Sequence, residues 1–478
     1  MNFGYKKLYI GGELRDSISG AKKDVICPAT EEVVGTLAWA GKEDAELALD
    51  EAQKGFKYWS KLSLKERTVW MMKLREEVLK NDDLLRKAVV MEMGKSYDAA
   101  WEDIESIVNA LEFYPGAMRN MHDEIIPDLE NTHRHKIVNR PAGVAVAYLA
   151  WNFPLLNVGF KIGPALAAGC SIIIKPSGLT SLSSYVLGEI LYNMNFPAGV
   201  INFISGPVSE VAYTMTTSKI PKVLTMIGSS ESGRQVMADS ATSVKHVSME
   251  LGGNAPFIVC EDADLETATN IGIALKYGNC GQICVAVNRF LIHEKVYDEF
   301  LEMFIAKAKK VKVGFGFDEK PDMGPLVTLK DRERILKMVE DDVASGATLV
   351  LGGGIPKDKK VGNFIEPTII TGLTTEMRCF KEEIFGPVAA IMKFSTNEEA
   401  IELGNDTVYG LVSYVFSNNE KEIRRFSEEL DFGEVQVNGV KYAIYLPHGG
   451  IKESGIGHDC SYLALNDYLV KKRITIAL

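Results

Sequence analysis

Two short apolar runs, separated by one helix-length segment, constrain the fold of this chain more than any other feature. Val144-Ala145-Val146-Ala147-Tyr148-Leu149 leads into Trp151-Asn152, and Ser171-Ile172-Ile173-Ile174 leads into Lys175-Pro176. Each has the length and the small or β-branched residues of a buried strand, and each closes on a polar residue and a breaker. Between them, Leu155 to Ala168 reads as a crossover helix, and Val200 to Ile204 and Lys222 to Ile227 read as two further strands. Strands alternating with helices imply a parallel, helix-covered sheet, whose ligands bind beyond the carboxyl ends of the strands. After Glu250 the rhythm restarts, with a strand at Ala255 to Val259, a helix at Asp264 to Tyr277 and a strand at Asn288 to Ile292, in a second α/β unit reaching about Leu446. Glu43 to Asn81 carries apolar residues at helical spacing. Glu124 to Val138 is polar and fits no helix, and Arg473 to Leu478 has a β-type pattern. Two such edge pieces can pair with another subunit.

A chain of 478 residues can bury a large core and has room for two or three domains. The net charge of -11 gives no support to nucleic-acid binding, although local backbone dipoles can still hold an anionic cofactor. Seven cysteines are too sparse for a disulfide framework. No second Cys/His set completes a zinc site, and His133, His135 and His448 lack metal-ligand spacing, so no metal is expected. No apolar segment follows Lys6-Lys7, and the bland run from Gly163 to Ile174 falls well short of the roughly 20 residues that span a bilayer. These absences lead to the expectation of a cytoplasmic protein with neither a membrane nor a nucleic acid as partner.

The chemistry concentrates in a few places. Cys284 ends Tyr277-Gly278-Asn279-Cys280-Gly281-Gln282-Ile283-Cys284, where a glycine-containing loop can expose a sulfur and a backbone N–H together. A thiolate is a strong nucleophile and a good leaving group, so it can hold an acyl group as a thioester. Glu250 lies where a strand gives way to Gly252-Gly253, and a carboxylate there can deprotonate water. Asn152, between a strand and Pro154, can donate to an oxyanion beside the Cys284 N–H. Lys175 ends a buried strand and suits a ribose hydroxyl or phosphate. Gly228-Ser229-Ser230-Glu231-Ser232-Gly233 opens a helix whose free N–H groups can meet a pyrophosphate. Glu383, followed by Ile384-Phe385-Gly386-Pro387, can hold a ribose diol with Phe385 nearby. Taken singly, each has an ordinary reading: a buried cysteine, a turn carboxylate, an Asx turn, a surface ion pair. The common Gly-x-Gly-x-x-Gly dinucleotide fingerprint is missing from the first strand–helix unit. Cys280, four residues before Cys284, also permits a reversible disulfide with it.

Together these pieces resemble the aldehyde dehydrogenase superfamily over essentially the whole chain. Cys27-Pro28-Ala29-Thr30, Trp151-Asn152-Phe153-Pro154, Lys175-Pro176-Ser177, Glu250-Leu251-Gly252-Gly253, Gly281-Gln282-Ile283-Cys284, Glu383 to Pro387 and Gly449 to Gly455 follow in family order. The resemblance implies an α/β fold of two Rossmann-like parallel-sheet domains with a small β oligomerisation arm. By it, residues 1–122 and 140–251 bind NAD(P), 252–446 form the catalytic domain, and 123–139 with 460–478 form the arm of a homodimer or homotetramer. It also implies Cys284 as nucleophile, Glu250 as general base and Asn152 in the oxyanion hole. Trp151, Lys175, Ser177, Gly178, Gly228, Ser229, Leu251, Glu383 and Phe385 are then the cofactor residues. The implied reaction is oxidation of an aldehyde to its acid with NAD(P)+, through a thiohemiacetal and a thioester. A non-catalytic protein of this fold has no need for thiol, base and oxyanion donor at once.

Two departures bear on specificity. NAD-preferring relatives often carry, three residues after the lysine, a glutamate that binds the ribose 2′-hydroxyl. Gly178 stands there, which points to NADP or dual use. The tail Asp467-Tyr468-Leu469-Val470-Lys471 resembles semialdehyde dehydrogenases, yet the two arginines by which those enzymes hold a distal carboxylate are replaced by Phe160 and Gly278. The expected substrate is therefore a small neutral or hydroxy-aldehyde of the lactaldehyde or glyceraldehyde type, in a pocket formed by Phe153, Leu156, Asn157, Phe160, Gly278, Ile283 and Val285. Succinate semialdehyde is the alternative.

Overall fold

The computed structural model of the chain describes residues 1–318 and 320–478. Its frame is two sheets. The eight-stranded sheet is built on five parallel strands in the spatial order Ile201–Phe203, Ser171–Lys175, Val144–Tyr148, Pro221–Ile227 and His246–Glu250. The chain thus moves outward from Val144–Tyr148 on one side, then returns and continues on the other. That reversal leaves a crevice at the carboxyl ends of Val144–Tyr148 and Pro221–Ile227, the usual ligand position in such sheets. Register brings the functional ends level: Tyr148 pairs with Lys175, and Ile227 with Glu250. Short antiparallel strands close the edges, Leu8–Ile10 and Glu13–Arg15 at one side and Gly455–Ile456 at the other.

The strands Val144–Tyr148 and Ser171–Lys175 are buried at every residue and mostly apolar because helices cover both faces. Ile172, Ile173 and Ile174 are fully buried, each contributing about 1.5–3 kcal/mol relative to an exposed side chain. With the strand interiors committed to packing, polar residues at the strand ends can be presented to a ligand.

The seven-stranded sheet runs Thr348–Leu351, Thr368–Thr371, Val388–Phe394, Val287–His293, Ala255–Val259, Val412–Phe416 and Glu434–Val437, parallel except for the first. Glu124–Ile126, His133–Pro141 and Leu469–Ala477 form a third, antiparallel sheet. The two polar edge pieces of the sequence therefore pair with each other, and Ile125 and Ile476 remain exposed on that sheet. Residues Tyr462–Tyr468 form a tight helical turn whose Ala464, Leu465 and Tyr468 pack into the core of the larger sheet.

The region from Glu43 to Asn81 is two helices, Lys42–Trp59 and Leu64–Lys80, rather than one. Ser63 and Glu66 form a capping box: the Ser63 hydroxyl accepts from the Glu66 N–H, and Glu66 Oε2 accepts from the Ser63 N–H at 2.7 Å. These bonds stabilise a new helix start that the apolar periodicity alone does not reveal. Among the described residues no helix is long and apolar enough to cross a membrane.

Candidate active site

A cavity of about 2440 Å³ is walled by both sheets, and the residues given catalytic, cofactor or substrate roles from the sequence line it, whereas Cys280 does not. They reach it from opposite strand ends. Asn152, Lys175, Ser177, Gly228 and Glu250 follow the carboxyl ends of strands in the larger sheet, or end them. Cys284 precedes the strand Val287–His293 and Glu383 precedes Val388–Phe394, so the second sheet contributes its amino ends. The expectation of ligand binding beyond carboxyl ends thus describes the first sheet and not the second.

Cys284 is carried by a strained loop. Asn279, Cys280 and Gly281 all have positive φ, at 47°, 58° and 70°. The left-handed region is costly for Asn279 and Cys280, though not for Gly281, and such conformations persist when surrounding bonds over-determine them. Those bonds come from the buried Gln282. Its Nε2 donates to the Asn279 carbonyl at 2.9 Å, and its Oε1 accepts from the Val327 N–H at 2.9 Å. A Cβ on Gly281 would sit 2.3 Å from the Gly386 carbonyl oxygen, so the loop packs directly against the Glu383–Pro387 segment. Cys280 is buried without exposure and is a free thiol, as is Cys284.

Asn152 is tied to the same loop. Its Nδ2 donates to the Gln282 carbonyl at 3.0 Å, while Asn279 Nδ2 donates to the Asn152 carbonyl at 3.1 Å. An amide NH₂ carries two hydrogens, so one anchors Asn152 and the second is available for an oxyanion beside the Cys284 N–H.

Glu250 is 4% exposed, and neither of its oxygens has a hydrogen-bond partner. Burial pushes its carboxyl up to about 7, with His448 opposing that shift. A carboxylate with this pKa is matched to taking a proton from water near neutrality. The glycines after it let the two halves meet: a Cβ on Gly253 would lie 2.4 Å from the Cys284 carbonyl oxygen. The Gly253 N–H donates to Glu383 Oε1 at 3.0 Å, and burial also raises Glu383 to about 7. The Gly449–Gly455 motif clamps this bend, since Ser454 Oγ donates to the Gly252 carbonyl at 2.6 Å and the Leu251 N–H donates to the Ser454 carbonyl at 2.9 Å.

At the other end, Ser229 caps the helix Ser230–Ser240, accepting from the Ser232 N–H. The Gly228 N–H is bonded to the Glu250 carbonyl. Trp151 and Phe385 meet edge to face at 5.3 Å between the two sheets. Lys175 is 7% exposed and, among the described residues, has no carboxylate partner. Burial, then repulsion by Lys23, lowers its pKa to about 8. Lys23 lies over the Trp39 ring at 4.4 Å, and burial lowers its pKa too. A Cβ on Gly178 would come within 2.8 Å of Trp39 and 3.0 Å of Lys23 Nζ. The space that a glutamate side chain would need at 178 is thus taken by a cation and the ring beneath it.

On the remaining wall, Phe153 stacks under Lys95 Nζ at 3.7 Å, and Lys95 is paired with the buried Asp103 at 2.7 Å. Asn157 Nδ2 donates to the Ala150 carbonyl at 3.3 Å, which makes it a brace for the Asn152 segment. Leu156, Phe160, Ile283 and Val285 supply apolar surface, and a side chain at Gly278 would enter open space.

The sequence reading missed Lys23, Glu434 and His448. Lys23 lies in the short strand Lys22–Ile26, whose mixed polar pattern gives no hint of a ligand site. His448 was weighed only as a metal ligand, although its place directly before Gly449-Gly450 was a usable signal. Its Nδ1 lies 2.6 Å from Glu434 Oε1, and its Nε2 lies 3.7 Å from Glu250 Oε2.

A model of the aldehyde dehydrogenase family matches residues 15–474. The chain is 36% identical over 474 residues to a glutarate-semialdehyde dehydrogenase of Pseudomonas putida, covering 99% of this chain and 98% of that protein. It is 34% identical over 478 residues to the succinate-semialdehyde dehydrogenase [NADP(+)] of Escherichia coli, covering 100% and 99%. Among solved structures, a succinate-semialdehyde dehydrogenase from Burkholderia pseudomallei superposes with a TM-score of 0.97 at 35% identity, covering 99% of this chain and 98% of that one.

Proposed function

Because the chain belongs to the aldehyde dehydrogenase family, we propose that Cys284, Glu250 and Asn152 carry out its chemistry, on a small semialdehyde and with NADP favoured over NAD. That it is an NAD(P)-dependent enzyme oxidising aldehydes follows from the family. The observation that carries the residue assignment is the meeting, in one cavity, of a thiol, a buried unpartnered carboxylate and an amide with a spare donor.

In this reading the Cys284 sulfur attacks the aldehyde carbon, forming the C–S bond while the carbonyl electrons move to oxygen. Asn152 Nδ2 and the Cys284 N–H donate to that oxygen, an arrangement whose single donors are each worth about 10²–10³ in rate. A nicotinamide held by the cofactor residues would accept the hydride that leaves the former aldehyde carbon, so that the C–S adduct becomes a thioester. Glu250 then takes a proton from water as the water attacks the thioester; the acid leaves and the sulfur is regenerated.

The two lysines fit the cofactor's adenosine end. Lys175 is a buried cation and Lys23 a partly buried one, neither with a carboxylate partner among the described residues, and a 2′-phosphate would supply the missing charge. A hydrogen bond to a charged group is worth about 1.5–3 kcal/mol. Lys23→Ala is therefore expected to weaken NADP binding about tenfold or more and to leave NAD binding nearly unchanged, measured by fluorescence titration without aldehyde. Equal weakening of both would remove Lys23 from this role.

Of the two substrate classes raised by the sequence, the relatives support the semialdehyde over the hydroxy-aldehyde. A neutral aldehyde is the second reading, and one observation favours it: among the described residues, no arginine lines the cavity. A buried carboxylate without a partner costs several kcal/mol. Comparing kcat/KM for succinate and glutarate semialdehydes with lactaldehyde and butanal decides between them. The proposal expects a semialdehyde to lead by about tenfold or more, and a lead by the neutral aldehydes would establish the second reading.

A further inference from the structure

His448 belongs to no motif that the expected chemistry uses, yet it stands at the centre of the reactive groups. Its backbone is fixed on both sides, donating to the Asp459 carbonyl at 2.8 Å and accepting from the Asp459 N–H at 2.7 Å. The ring lies between Phe160 and Tyr442, with centroids at 6.3 and 6.0 Å. Nδ1 is held by Glu434 at 2.6 Å, which leaves Nε2 toward the cavity, 3.7 Å from Glu250. Cys284 and His448 line the same cavity, close enough for each to shift the other's protonation.

We propose that Glu434 and His448 form a charge-holding dyad in which the imidazolium, oriented by Glu434, is the counter-charge that lets Cys284 ionise. The sulfur loses its proton to solvent through the open cavity, and the thiolate pairs with the imidazolium. When the thioester is hydrolysed, the same charge stabilises the departing thiolate. No electrons are exchanged with the ring, and no proton need leave it.

The surroundings support this assignment. Burial raises the Cys284 thiol, and His448 is the group that opposes it most. Burial works against charge on His448 as well, but Glu250, Cys284 and Glu434 together outweigh it and hold the imidazole well above its usual value. The other ionisable groups facing this cluster are Glu383, which raises the thiol further, Tyr414, Tyr442 and Cys460, and, behind Glu250, the Lys161–Asp459 pair at 2.5 Å. That pair and the dyad are both neutral as units, but Lys161 is taken up by Asp459 behind Glu250, whereas Glu434 binds only Nδ1 of His448 and leaves the cationic Nε2 edge on the side of the sulfur. A cation beside a cysteine is the usual means of lowering its pKa.

The inference rests on Cys284 being the nucleophile, but its test needs no turnover. Iodoacetamide alkylation is followed from pH 5 to 10 in the cofactor-free chain, with Cys284→Ser as the blank for the six other, buried cysteines. His448→Gln is expected to raise the midpoint by about one pH unit or more and to slow alkylation at pH 7 about tenfold. Glu434→Gln is expected to move the midpoint the same way by less. A midpoint unchanged in His448→Gln, or a slowing equal at every pH, overturns the dyad and leaves the assignment of Cys284 intact. Should His448→Gln not fold, an unchanged midpoint in Glu434→Gln overturns it.

Discussion

Cys284→Ser is expected to lose aldehyde oxidation by about four orders of magnitude or more while binding nucleotide as tightly as the parent chain. A serine hydroxyl ionises far above a thiol, so near neutrality it stays protonated and is a poor nucleophile. The side chain is slightly smaller than the one it replaces and lies at the cavity wall rather than in the core, so the melting temperature should hardly move. Steady-state production of reduced cofactor at saturating aldehyde, with a nucleotide titration on the same sample, reads both halves. Retained turnover would remove Cys284 from the chemistry; lost turnover together with lost nucleotide binding would indicate a misfolded loop.

Glu250→Gln is expected to lower kcat by about 10²–10⁴, but in a different way. The first half of the reaction needs the sulfur and the oxyanion donors, and the second needs a base for water. Reduced cofactor should therefore still appear in a burst of about one equivalent per chain, followed by slow turnover. The pH profile carries the same signature. The Glu250 carboxyl is raised to about 7 by burial, so the parent enzyme gains rate as pH rises through about 7, and Glu250→Gln should lose that limb. Stability moves in the opposite sense. A carboxyl whose folded pKa lies above its unfolded value favours the folded state at low pH, and that contribution is lost as pH rises through about 7. The burial of the Glu250 charge outweighs its attraction to His448, so Glu250→Gln should be at least as stable as the parent at pH 8, as thermal melts will show.

Local chemistry was legible in the sequence wherever one short segment carried the whole signal. Val144 to Leu149 and Ser171 to Ile174 announced buried strands because every residue was apolar or small, and the polar residues closing them did reach the cavity. Gly252-Gly253 marked the point where the strand before Glu250 gives way, and the strand does end at Glu250. The capping box at Ser63 was also present in the sequence, but it was overlooked because the apolar spacing continues across it. Features assembled from distant segments were not legible. Lys23 reaches Gly178 from a strand near the amino terminus, and Glu434 and His448, about 150 residues after Cys284, pair with each other at the same cavity. Their local patterns describe a partly exposed strand and a glycine-rich turn, and only tertiary packing turns them toward the thiol. The delivery of Cys284 and Glu383 from strand amino ends was hidden for the same reason, since it depends on how the second sheet is set against the first.

The most direct measurement is an acid-quenched single turnover of Glu250→Gln with aldehyde and NADP, followed by mass analysis of the peptide containing Cys284. The account predicts that this peptide carries the acyl mass of the substrate in close to one-to-one yield with the reduced cofactor formed. Reduced cofactor at one equivalent with an unmodified Cys284 peptide, or with the acyl group on another residue, would contradict it.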